Sequence, residues 1–211
     1  MNPWWRRASP AGDPRRWVVL DVEASGLDAS RDRLLAVAAL AVEAAPGGPR
    51  IHPGDSFEQV LRHEQAEVDR ANILVHGIGV GAQAGGVEPR VVLQAFERWV
   101  GDSPLIAFHS AFDERMLTRA MRTALGRVLP GPWLDLAQLA PAVAPGVPAR
   151  SLDDWLRHFD IPCARRHQAA ADCHATARLL LRLWPAVCAQ REGEDFAALR
   201  RIAAQARWLP R

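Results

Sequence analysis

Apolar and polar positions along the chain predict a strand-rich first half and a helical second half. The stretch "WVVLDVE" (17–23) runs apolar into two carboxylates and predicts a buried strand. "RLLAVAALAVEA" (33–44) is ambiguous: its alanines favour helix, while its Val and Leu suit a buried strand. "DSFEQVLR" (55–62) alternates like a third strand, and "PGGPRIHPGD" before it reads as a turn. In "EPRVVLQAFERWV" (88–100), Val91, Val92, Ala95, Phe96 and Trp99 recur at helical spacing. A short apolar run, Leu105 to Phe108, leads into a helix that starts near Ser110. "WLDLAQLAP" reads as a short helix, and Ser151 followed by Asp154 forms an N-cap pattern for "SLDDWLRHF". "QAAADCHATARLLLRLW" (168–184) is the strongest helical pattern, expected to end at Pro185, and "EDFAALRRIAAQARWL" adds a last amphipathic helix. A strand meander followed by alternating helices and strands predicts one α/β domain, a mixed sheet with helices packed on it.

Composition narrows the picture only a little. At 211 residues, with 49% hydrophobic and 24% charged residues, the chain can bury a real core. A net charge of +2 is too small to demand a nucleic-acid partner, although all 26 basic residues are Arg, whose planar fork suits phosphate. Cys163, Cys173 and Cys188 have no disulfide-framework spacing, which predicts a cytoplasmic setting. No apolar run reaches the ~20 residues of a membrane span. Residues 1–16 read as a flexible N-terminal arm, 17–184 as the main domain, and 185–211 as a helical extension packed on it.

Asp21 and Glu23 lie two apart on a strand and so share a face. At an effective dielectric of about 20, two unit charges ~4 Å apart repel by roughly 4 kcal/mol. Asp113 falls in the first turn of the helix after "IAFHS". Asp172 lies on the first turns of the long helix, with His167 five residues earlier. Each acid alone is explained by an ordinary helix start. A zinc cluster of Cys163, His167, Cys173 and His174 is disfavoured, because no Cys-x2-Cys pair anchors it.

The three motifs in this order, with "ILVHGIG" and "WLDLAQLA" between them, resemble the DEDDh (DnaQ-like) family of 3′-to-5′ exonucleases. That family includes the proofreading epsilon subunit of bacterial DNA polymerase III, RNase T and oligoribonuclease. The resemblance spans about residues 17 to 184 and implies an RNase H-like fold with a mixed five-stranded sheet flanked by helices. It implies metal-ligand roles for Asp21, Glu23, Asp113 and Asp172, a general-base role for His167, and contacts to the terminal nucleotide from Ser25, Gly26, Leu27, Val75, His76 and Phe112. The implied cofactors are two Mg²⁺ or Mn²⁺ ions, which suit hard oxygen ligands. The implied substrate is a single-stranded 3′ end, DNA before RNA. A polymerase or a second copy of the chain is a candidate partner, and no membrane is expected. Two positions depart from the family pattern: Ala24-Ser25 stands for Thr-Thr, and His109-Ser110 for His-Asn. A non-catalytic module that tethers a polymerase, an RNA-trimming exoribonuclease and a metal-dependent phosphatase on another fold are the alternatives.

Overall fold

The computed structural model describes residues 13–63 and 70–206. Five strands form one sheet in the order β3-β2-β1-β4-β5. β1 (Arg16–Ala24), β2 (Leu34–Ala45) and β3 (Gly48–Val60) form an antiparallel meander, and β4 (Leu105–Ala107) and β5 (Trp133–Asp135) join parallel to β1. This is the RNase H-like arrangement expected for the chain: a mixed five-stranded sheet with helices on both faces.

β1 sits at the centre because both of its faces are apolar. Trp17 and Val19 enter one core, with α5 (Leu136–Val143), α6 (Leu152–His158), α7 (Ala169–Ala189) and α8 (Phe196–Gln205). Val18, Leu20, Val22 and Ala24 enter the other, with α3 (Pro89–Val100) and α4 (Ser110–Leu125). Two short helices, α1 (Arg70–His76) and α2 (Val80–Ala84), connect β3 to α3.

Several elements differ from the sequence pattern. β2 is a strand despite its alanines: Leu34 through Val42 are all buried between β1 and β3, and small side chains let both helical layers approach. The turn before β3 is confined to Pro46 and Gly47, whose φ of 88° suits a residue without Cβ. The stretch "PRIHPGD" therefore belongs to β3. Leu40 pairs with Ser56 and Ala41 with His52, so residues 53–55 bulge out of register.

That bulge turns Asp55 inward to meet Arg16. Arg16 Nε and Nη2 donate to Asp55 Oδ2 and Oδ1 at 2.9 and 3.0 Å, and Nη1 donates to Ser103 Oγ at 2.8 Å. The guanidinium lies 4.5 Å over the Trp99 ring. Arg16, assigned above to the N-terminal arm, is instead a buried first residue of β1; residues 1–12 lie outside the described residues. At the other boundary, α7 does not stop at Pro185 but continues to Ala189. Pro185 is on the exposed side, where water can satisfy the carbonyl left without an amide partner. The division between 184 and 185 thus falls inside a helix. Phe196, Leu199, Ile202 and Ala203 of α8 are buried, and Phe196 meets Trp17 edge-on at 5.5 Å.

Candidate active site

The C-terminal ends of β1 and β4 lie side by side, and the carboxylates gather there. Asp21 and Glu23 follow Val19 on the face covered by α7, while Val22 between them turns to the opposite core. Asp113 arrives from α4. The chain leaves β4 through His109, which is left-handed (φ 63°), and the helix begins at once at Ser110. Asp135 fixes that reversal, accepting from the His109 and Ala137 amides at 3.0 and 2.9 Å. Asp113 Oδ1 then accepts from the Val22 amide at 3.2 Å, tying α4 directly to β1.

Asp172 lies in the first turn of α7. Its Oδ2 accepts from the His167 amide at 2.9 Å. His167 itself is left-handed (φ 58°), and this aims its amide inward while its side chain remains exposed. The loop before it contributes more to Asp172. Cys163 Sγ lies 3.6 Å from Oδ1, and the Arg166 guanidinium contacts Oδ1 while also pairing with Asp153.

Electrostatics shows how close these groups are. Burial pushes Asp21 well above the ordinary carboxylate range, and Asp113, Glu23 and Asp172 push it further; Arg166 opposes them. Asp21 keeps an opening to solvent although neighbours crowd it on most sides. Burial raises Glu23 to about 7, with Asp172 adding to the effect and the Ala169 amide and Arg166 opposing it. Burial also raises Asp113 to about 8, against hydrogen bonds from its own amide and that of Val22.

This donor set fits a hard divalent cation. Glu23 Oε1 is buried with no hydrogen-bond partner, and the raised carboxyls are groups whose charge lacks a counter-charge. Among the described residues, no three His, Cys, Asp or Glu side chains already stand close enough to cage an ion. The Arg166 guanidinium occupies one oxygen of Asp172.

The residues expected to contact a terminal nucleotide divide into two groups. Leu27, 95% exposed, and half-buried Phe112 line the same groove. Ser25 and Gly26 brace the turn between them and β2. Ser25 Oγ donates to Asp32 Oδ1 at 3.1 Å, and a Cβ on Gly26 would collide with the Asp32 carboxylate. Val75 is exposed at the end of α1, whereas His76 is buried. Its Nδ1 accepts from the Ile78 amide at 2.9 Å, and burial holds its pKa down. Gly77 packs near Arg165, so this segment borders the His167 loop. The discounted zinc set is not brought together: Cys173 donates to Val19 O at 3.1 Å inside the core, while His174 is exposed.

Arg166, Cys163 and Asp135 were not among the expected site residues. Arg166 carried one signal, its place directly before His167 in a pattern otherwise read for carboxylates.

The family model RNase_T, described as exonuclease, matches residues 18–180. The chain belongs to this exonuclease family. Among its relatives is DNA polymerase III PolC-type of Bacillus subtilis (strain 168), 30% identical over 168 residues, which cover 79% of this chain and 11% of the relative. Another is a DNA polymerase III subunit epsilon-like protein of Rhodobacter capsulatus, 30% identical over 181 residues, 84% of this chain and 25% of that one. The RNase_T match therefore lies in a chain that spans only about a tenth of the PolC-type relatives' length. A zinc-bound E. coli exonuclease I–ssDNA complex shares the fold, with a TM-score of 0.67 and 15% identity over 84% of this chain and 43% of that one.

Proposed function

We propose that the chain is a metal-dependent 3′-to-5′ exonuclease that hydrolyses single-stranded nucleic acid, DNA rather than RNA, to nucleoside 5′-monophosphates. The observation that carries this reading is the meeting of Asp21, Glu23, Asp113 and Asp172 from three elements, beside a loop that presents His167. The names of the relatives favour DNA and a polymerase partner, and the exonuclease I complex contains single-stranded DNA. Three free cysteines suit a cytoplasmic setting, and no described helix is long and apolar enough to cross a membrane.

The four carboxylates would hold two Mg²⁺ or Mn²⁺ ions, with Arg166 yielding Asp172 Oδ1. When bound, such ions supply Lewis-acid activation of a water and stabilise charge on the leaving 3′ oxygen. His167 takes the water's proton on its ring, which its backbone leaves free to reach the phosphate from outside the cluster. Asp172 has a second role, since its bond to the His167 amide holds the base at the cluster's edge. Leu27 and Phe112 offer apolar surface to the terminal base, where stacking on a ring contributes roughly 1–3 kcal/mol and tolerates any sequence.

A free 3′ end is the feature to test. A 5′-labelled linear strand with a 3′ hydroxyl should shorten one nucleotide at a time with Mn²⁺ present. The same strand with a bulky 3′ block should persist, as should a circular single strand. Cutting of the circle at a rate comparable to that of the linear strand would show an endonuclease and refute this reading.

A further inference from the structure

We propose that the groove along α4 is the track for the strand 5′ of the scissile end, with Arg115, Arg119 and Arg122 as its phosphate contacts. The inference deepens the exonuclease reading and rests on it for the polarity of the strand.

The groove, about 940 Å³, lies between the 27–30 turn and α4 and begins on that helix at Ala111 and Phe112, the two residues before Asp113. Arg115, Arg119 and Arg122 line it at steps of four and three, so they form one stripe down the helix. From Arg115 to Arg122 the rise is about 10 Å, leading away from the carboxylates. A strand whose last phosphate is at Asp113 would meet these cations in succession.

The three arginines are also available. Among the described residues, none of them forms an ion pair, whereas Arg62, Arg127, Arg157 and Arg166 are paired with carboxylates. Arg119 Nη2 donates only to the Met116 sulfur at 3.5 Å, and its Nε is buried with no partner at all. A buried guanidinium donor left unpaired is costly unless a ligand anion meets it. Asp28 on the wall opposite feels the Arg119 charge without pairing with it; its carboxylate accepts from the Ser30 amide and hydroxyl at 2.9 and 2.5 Å and lies 3.8 Å from Arg31 Nε. Thr118 and Thr123 add hydroxyls along the groove. A planar fork on a regular stripe matches a polyanion and reads no base, which suits an enzyme working through any sequence.

The test is binding of 5′-fluorescein dT20 and dT3 in EDTA, followed by anisotropy over a range of NaCl concentrations. The proteins are the wild type, an Arg115→Gln/Arg119→Gln/Arg122→Gln triple variant, and an Arg115→Gln/Arg122→Gln double variant that leaves the partly buried Arg119 alone. Arg178→Gln/Arg182→Gln/Arg191→Gln, in and just after α7 on the opposite layer, removes equal charge. We expect the α4 variants to bind dT20 at least tenfold more weakly and to lose the preference for dT20 over dT3. The slope of log affinity against log salt should fall by about 0.7 for each contact removed. Wild-type affinity and slope in the α4 variants, or an equal loss in the α7 variant, would overturn the track. Mononucleotide release by the wild type is scored separately, so failure of the exonuclease reading shows in a different assay.

Discussion

His167→Asn is expected to lose about 10²- to 10⁴-fold in turnover, the usual loss on removing a general base, while remaining folded and metal-responsive. Asn is the informative replacement because position 167 is left-handed, a conformation that Asn tolerates and most side chains resist. The amide that donates to Asp172 Oδ2 survives the change, so Asp172 keeps its anchor. Only the ring is lost. Asp172→Ala should differ: it removes an oxygen donor, the acceptor for the His167 amide and the partner of Arg166 together. Single-turnover kinetics on a short oligonucleotide, with Mn²⁺-dependent melting alongside, separates the two. Near wild-type turnover in His167→Asn would remove the histidine from the chemistry.

Asp55→Ala should destabilise the protein by about 3–5 kcal/mol, the scale for leaving one partner of a buried ion pair uncompensated. Arg16 would be left fully buried, with only Ser103 Oγ, Val100 O and the face of Trp99 to meet its charge. The pair joins the first residue of β1 to a bulge in β3 and to the end of α3, so its loss loosens the sheet and one helical layer at once. Replacing both partners by apolar residues of similar volume should cost far less, because the desolvation penalty vanishes with the attraction. Denaturant unfolding of the single and double variants reads this directly. A single variant within 1 kcal/mol of wild type would mean that water reaches the guanidinium.

The legibility of the chain follows physical range. The positions of the carboxylates were readable from local rules, alternation along β1 for Asp21 and Glu23 and helix starts for Asp113 and Asp172, but grouping them as one site rested on the family resemblance. His167 was singled out by the same resemblance, through its place five residues before Asp172. What the sequence concealed depends on contacts across long separations. Arg16 looked like one more cation in a charged arm, because its partner lies 39 residues away in a bulge that no pattern announces. The alanines of β2 left helix and strand both open until neighbours on both sides made it an interior strand. Pro185 looked like a stop because propensity does not say which side of a helix faces water. Arg166 was missed for a related reason: only the folded loop shows its guanidinium turned onto Asp172.

The central claim, that the carboxylate cluster exists to be neutralised by divalent cations, is tested most directly by melting the wild type from pH 5 to pH 8 in EDTA and in Mn²⁺. Glu23 at about 7 and Asp113 at about 8 retain protons in the folded protein at pH values where the unfolded chain, near 4.5 and 3.8, has released them. The folded state therefore binds more protons across this window, and stability in EDTA should fall as pH rises through it. A cation takes over from the protons, so the Mn²⁺ shift should be small at pH 5 and large at pH 8. A hundredfold excess over Kd adds about 2.7 kcal/mol, which is about 5–10 °C for a domain of this size. A melting temperature that falls from pH 5 to pH 8 in EDTA and is restored by Mn²⁺ is the predicted result; a flat profile in EDTA with no Mn²⁺ shift at pH 8 would contradict it.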